Sequence, residues 1–179
     1  MAEAPSTKIW IGRFVFFGLC CLIIFFQLLP LNTRPQSLPW PDLLLALTLV
    51  WVARRPDYAP FYLIGLIFLL ADLFFQRPPG LWAALVLILT EFLRNRAGRI
   101  RNMPLMLEWG TVALGILAIT LAHRAIVMVT LLPNLPLGMT LIQMVLTIFA
   151  YPFVALVAHF AFGVSRPTPG AVDSLGHRI

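Results

Sequence analysis

The chain has 179 residues, of which 60% are hydrophobic and 11% charged, with a net charge of +6 and a mean hydropathy of +0.91. A soluble domain of this size has too much surface for its volume to hide that share of apolar groups, so lipid must cover part of it. The Arg residues cluster between apolar runs, which assigns the positive charge to membrane orientation and anionic lipid headgroups rather than to nucleic acid.

Runs of roughly 17–25 apolar residues fit a bilayer-spanning helix, and such runs fill most of the chain. The alternation of a β-barrel is absent. The expected class is therefore an all-α membrane protein, a bundle of about six transmembrane helices, some of them short. Residues 1–164 form one polytopic transmembrane domain. Residues 165–179, with Pro167, Pro169 and Gly170, are expected to be a disordered cytoplasmic tail.

The first segment covers about residues 14–31 and follows Lys8 and Arg13. A signal peptide has such a start, but this core is long and no small-x-small cleavage site follows, so it reads as a retained span. Cys20 and Cys21 are adjacent within it. A bridge between neighbours is strained and a metal needs more donors, so both are expected to be buried apolar residues.

The second segment, about residues 42–53, follows a Pro-rich stretch from Arg34 to Pro41. Asp42 after Pro41, and Asp57 after Pro56 ahead of the third segment (about residues 60–75), stand where helix N-caps belong. Asp72 lies near the far end of the third segment. A carboxylate at membrane depth is costly and by default marks function; the plainer reading pairs it with Arg77 or makes it a cap of the neighbouring turn. Pro78-Pro79-Gly80 predicts a type II turn with Gly at positive φ, so the third and fourth segments form a tight antiparallel hairpin.

The fourth segment covers about residues 81–93. Segments two to four are short: about 14 residues reach only about 21 Å, so they extend through polar flanks or thin the bilayer. A basic loop follows, with Arg94, Arg96, Arg99 and Arg101, flanked by Glu91 and Glu108 as possible ion-pair partners. It reads as a topogenic loop touching anionic lipid, or as a docking point for an acidic cytoplasmic partner.

The fifth segment covers about residues 104–122. Thr111, Gly115, Ala118 and Ala122 share one helix face, and small residues allow close helix approach, within the bundle or with a partner's helix. The stretch 124–132 either prolongs this helix or lies along the interface. The sixth segment, about residues 139–163, holds Gln143 and Thr147 one turn apart. It also holds Pro152, which leaves the carbonyl of Ile148 without its usual donor and predicts a kink.

With the N-terminus in the cytoplasm, the inside segments carry Lys8, Arg13, Arg54, Arg55, Arg94, Arg96, Arg99, Arg101, Arg166 and Arg178. The outside segments carry Arg34, Arg77 and Arg124. Ten against three favours six spans with both termini cytoplasmic. The chain has no HExxH, no GxSxG and no phosphate-binding glycine loop, and its three His residues are far apart. The expectation is a non-enzymatic protein with no catalytic, cofactor-binding or metal-binding residues.

At Pro41-Asp42, Gly65, Asp72 and Pro79-Gly80 the chain resembles MreD, the rod shape-determining membrane protein family. The family pattern starts its second span with a proline–aspartate pair, then has a short span with glycine early and aspartate late, then a turn ending in glycine. The resemblance implies localisation in the bacterial inner membrane and a scaffold of the cell-wall elongation machinery that maintains rod shape. The implied partner is an MreC-like single-span protein, with indirect links to MreB, a RodA-type glycosyltransferase and its penicillin-binding protein. It also implies a fold similar to the substrate-binding components of vitamin transporters. The alternative function is thus a small-ligand-binding component of an energy-coupled transporter, with Asp72, Arg77 and Trp82 lining its site.

The charge count makes a direct prediction. Cysteines introduced at positions 36, 78 and 134 label with an impermeant reagent from outside intact cells, and one at position 98 does not. Labelling at 98 under those conditions would overturn the orientation.

Overall fold

The computed structural model describes residues 5–29, 39–101, 105–130 and 136–162. Among them all regular structure is helical: α1 (Pro5–Leu28), α2 (Leu43–Arg54), a single 3-10 turn (Pro56–Tyr58), α3 (Phe61–Phe74), α4 (Leu81–Arg101), α5 (Leu105–Val129) and α6 (Leu137–Phe162). The tail from Ser165 and the Pro-rich stretch 34–38 lie outside the described residues.

The apolar character of α2 explains its place. Eleven of its twelve residues are buried, from Leu44 to Arg54. A helix that is apolar all round belongs in the middle of a core. α6, α4 and α1 pack around α2; α3 packs on α4 and α1, and α5 joins α4 to α6. The core runs through Phe16, Trp51, Phe68, Val86, Ile116 and Tyr151.

The outer helices have the opposite character. The spans Thr7–Leu28, Met106–Val129 and Leu137–Ala161 are long and apolar enough to cross a membrane, yet at most 28% of each is buried within the bundle. Phe14, Leu114, Phe153 and Phe160 are exposed on their outward faces. Such surface is stable only against lipid, so the chain is a membrane protein.

One boundary and one burial differ from expectation, and one open alternative is decided. α4 does not stop at residue 93 but continues to Arg101, because the four Arg residues and Ala97 are good helix formers and outweigh Asn95 and Gly98 once the apolar stretch has ended. The basic cluster therefore lies on the last turns of a helix, not in a loop. α5 runs to Val129 and takes in Arg124, so the stretch after residue 122 prolongs this helix. Cys20 is buried but Cys21 is exposed: a turn of about 100° per residue puts neighbours on different faces.

One close approach fixes how α1 meets the rest. A Cβ added to Gly12 would lie 2.5–2.7 Å from the Tyr58 ring. The 3-10 turn thus lies directly on the α1 backbone. Arg13 closes the same contact, donating to the Asp57 carbonyl at 3.1 Å and to the Tyr62 hydroxyl at 3.2 Å. Gly18, on the same helix, has nothing within 4 Å of such a Cβ.

Gly12→Ala is expected to cost about 1–3 kcal/mol through overpacking and to lower the thermal unfolding midpoint in detergent. Gly18→Ala is expected to leave that midpoint unchanged or raise it slightly, since Ala is the better helix former. Equal behaviour of the two variants would remove the ring contact as the constraint.

Candidate functional site at the Asp42 end of the bundle

The ends of α1, α3 and α5 and the starts of α2, α4 and α6 gather at one end of the bundle, and two carboxylates organise it. Asp72 is fully buried in the last turns of α3. Its backbone carbonyl accepts the Arg77 N–H at 3.0 Å, while Gln76 N–H reaches the Leu73 carbonyl at 3.4 Å. Gln76 has φ 53°. This is a Schellman closure with glutamine in the left-handed position that glycine usually takes.

The Asp72 side chain acts on the next helix. Its Oδ2 accepts the N–H groups of Gly80 and Ala83, both at 3.1 Å. Gly80 occupies the N-cap position of α4 and has no side chain with which to cap it. Asp72 supplies the acceptor from eight residues upstream. Pro78-Pro79-Gly80 makes the expected turn: Leu81 N–H reaches the Pro78 carbonyl at 3.2 Å, and Gly80 has φ 82°. Of the two plain readings of Asp72, capping is therefore the one that holds. The carboxylate nearest to Arg77 is that of Asp42, at 4.0 Å.

Asp42 caps α2 as expected, its Oδ1 accepting Leu45 N–H at 2.9 Å. Asp57 does not cap α3. It lies within the 3-10 turn, and Pro60 is the N-cap residue, with no side-chain bond. The Asp42 backbone N–H donates to Thr147 Oγ1 at 2.9 Å, and that hydroxyl donates to the Gln143 carbonyl at 2.7 Å. Thr147 lies ten residues into α6, about 15 Å from its start. α2 therefore begins far below the level at which α6 begins.

The space left above α2 is a cavity of about 570 Å³. Asp42 and Leu45 form its floor, residues 116–127 of α5 and 140–147 of α6 its walls, and residues 75–78 with Trp82 its rim. Arg77 lies 5.4 Å from the Phe75 ring and 5.9 Å from the Trp82 ring. Arg124 donates to Thr140 Oγ1 at 3.1 Å. His123 meets Trp82 edge to face at 5.2 Å. Trp82 Nε1 and His123 Nε2 are buried without a hydrogen-bond partner among the described residues. Arg77 and Trp82 thus line a cavity, as the ligand-binding alternative expects, but Asp72 does not: its carboxylate is turned to α4.

The opposite end holds a second polar group. Arg54, at the end of α2, donates to the Ala155 carbonyl at 3.0 Å and lies 3.5 Å from Glu108 Oε1. Tyr151 donates to the same oxygen at 2.8 Å. Among the described side chains, Glu108 thus pairs with Arg54. Glu91 does pair within the cluster, at 3.0 Å from Arg94. Arg94 also donates to the carbonyls of Pro56 (3.2 Å) and Ala59 (2.7 Å), pinning the α2–α3 connection. Arg96 is exposed, 4.2 Å over the Phe92 ring. The side chains of Arg99 and Arg101, and residue Asn102, lie outside the described residues.

The small-residue face of α5 divides. A Cβ on Gly115 would be 2.5 Å from Leu89 Cδ1, so this glycine seats α4. Ala122 packs against the core, Thr111 is part-buried and bonds back to the Leu107 carbonyl, and Ala118 faces outward. On α6, the Ile148 carbonyl orphaned by Pro152 receives the Trp109 indole N–H at 3.0 Å. Trp109 had carried no signal in the sequence, since its partner is a backbone atom 39 residues away.

No known protein family, curated protein or solved structure matches the chain.

Asp72→Ala leaves the Gly80 and Ala83 amides without their acceptor inside the bundle. The expected loss is about 0.5–2 kcal/mol as for an N-cap, and more if water cannot reach them. Asp72→Asn keeps an acceptor and is expected to cost less. The measurement is the unfolding midpoint in detergent; a greater loss for Asn than for Ala would show that charge, not capping, is what the site needs.

Proposed function

We propose that the protein is a non-enzymatic membrane scaffold of the bacterial cell-wall elongation machinery, with the role of the MreD family that it resembles. One observation supports the reading most directly: the residues that carry the resemblance belong to one structural unit. Asp42 and Asp72 each cap a helix. Gly65 lets α3 lie against α4, where a Cβ would be 3.3 Å from Leu87 Cδ1, and Pro79-Gly80 turns the chain between them. The resemblance thus follows an interlocked piece of architecture rather than scattered common residues.

On this reading the protein sits in the inner membrane with both termini in the cytoplasm, and the cavity end faces outward. An MreC-like single-span protein docks on the exposed apolar helix faces. Contacts toward MreB, the RodA-type glycosyltransferase and the penicillin-binding protein are indirect. Arg96, exposed on the last turns of α4, is the described basic residue suited to an acidic cytoplasmic partner or anionic lipid, because Arg94 is held by the chain's own carbonyls. The cavity favours a second reading, the ligand-binding component of an energy-coupled vitamin transporter.

Depletion from a rod-shaped host separates the two. The scaffold reading expects rounded cells, normal uptake of vitamins, and co-purification of an MreC-like protein in gentle detergent. Vitamin starvation without a change of shape would overturn it in favour of transport.

A further inference from the structure

We infer that the cavity at the Asp42 end is a binding site for an oxyanion, a phosphate or carboxylate carried by a partly apolar molecule. The inference rests on the cavity alone and holds under either reading of function.

Size comes first. About 570 Å³ is far more than a packing defect and falls within the roughly 300–1,000 Å³ of small-molecule sites. Charge comes second. Among the described residues two guanidinium groups, Arg77 and Arg124, face the cavity against a single carboxylate, Asp42. That carboxylate is already engaged: Oδ1 takes the Leu45 N–H at the positive end of α2, and Oδ2 stands 4.0 Å from Arg77, beyond a charge-assisted hydrogen bond. Asp72, behind Trp82, is not in the lining, and its charge faces the start of α4. Arginine is the side chain suited to phosphate and carboxylate, because its planar fork matches their oxygen pairs.

The wall beside Arg77 is aromatic. Trp82 is 9% exposed, and its Nε1 is buried with no acceptor among the described residues. His123, in edge contact with it, leaves Nε2 likewise unpartnered. Both side chains line the cavity, while the two nitrogens themselves are turned away from its open space. Among the described residues the Arg77 guanidinium makes no hydrogen bond, so it is the donor left for an acceptor on the ligand. Leu45, Ile116, Val127 and Met144 line the rest and suit an apolar portion. Two sources offer this chemistry: the headgroup region of an anionic phospholipid, and a soluble organic phosphate or acid.

The test uses the full chain purified in detergent. Its unfolding midpoint is followed while four probes are added separately: dioleoyl phosphatidylglycerol, dioleoyl phosphatidylcholine, inorganic phosphate and succinate. A saturable rise is expected with at least one anionic probe at physiological salt. It should weaken roughly tenfold or more in Arg77→Gln, the order of one charge-assisted hydrogen bond. Arg96→Gln, at the other end of the bundle, is expected to leave it unchanged. A response to phosphatidylglycerol alone assigns a lipid source, and a response to phosphate or succinate a soluble one. No saturable response to any anion, or equal loss in Arg77→Gln and Arg96→Gln, would overturn the site; so would phosphatidylcholine acting as well as phosphatidylglycerol with the soluble anions inert.

Discussion

The structure depends on a helix that is too short for its surroundings. α2 has twelve residues, about 18 Å at 1.5 Å per residue, and it is buried along nearly its whole length. Both its ends therefore lie within the bundle, where protein groups meet most of the free N–H and C=O groups of a helix terminus. The protein must supply the partners. At the start, Asp42 caps its own helix and its N–H is taken by Thr147. At the end, the Arg55 N–H takes the Trp51 carbonyl at 2.7 Å, while the Arg54 side chain donates to the Ala155 carbonyl of α6 and places its charge beside Glu108, which Tyr151 also holds. A buried ion pair of this kind is weak evidence of added stability, but removing one partner leaves an uncompensated charge at a cost of about 3–5 kcal/mol. It therefore acts as a register pin, fixing α2 against α5 and α6.

α3 and α4 solve the same problem differently. α3 has fourteen residues and stops inside the bundle. There one residue closes two helix ends: the Asp72 carbonyl completes the end of α3 and its carboxylate begins α4. This arrangement requires a turn short enough to bring residue 80 back to residue 72, which Pro79 and Gly80 provide. The shortness of α2 and α3 beside the long α5 and α6 also accounts for the cavity. The long helices rise past the closed ends, and the recess between them is walled by their polar residues, Thr120, Arg124, Thr140 and Gln143.

Much of this was legible from sequence because it is local. Hydropathy marked six helical segments, Pro-Asp marked a cap, Pro-Pro-Gly marked a turn, and Pro152 marked an orphan carbonyl. The failures are equally physical. The end of α4 was misread because charge reports contact with water, not the end of helical backbone. Asp57 was misread because a proline three residues later moved the start of α3 beyond its reach. The Arg54–Glu108 pair, the Trp109 bond to Ile148 and the seat of Tyr58 on Gly12 join residues 54, 39 and 46 positions apart. No local spacing carries such contacts. The cavity could not be read either, since it follows from where α2 sits along α6.

A consequence bears on how function is to be sought in this chain. Asp42 and Asp72, the two ionisable residues that carry the family resemblance, are both turned to backbone amides. They account for how short helices survive in an apolar bundle, and a chemical role for them would have to disrupt the caps they form. What remains for recognition is what the architecture does not consume: the outward apolar faces of α1, α5 and α6, exposed Arg96, and the cavity wall with Arg77, Trp82 and His123. A scaffold draws on the first two. The third is a different kind of surface, concave and lined by the guanidinium groups of Arg77 and Arg124. Architecture and recognition thus divide along α4: the backbone at its start is closed by Asp72, while Trp82, in the same turn, faces the cavity.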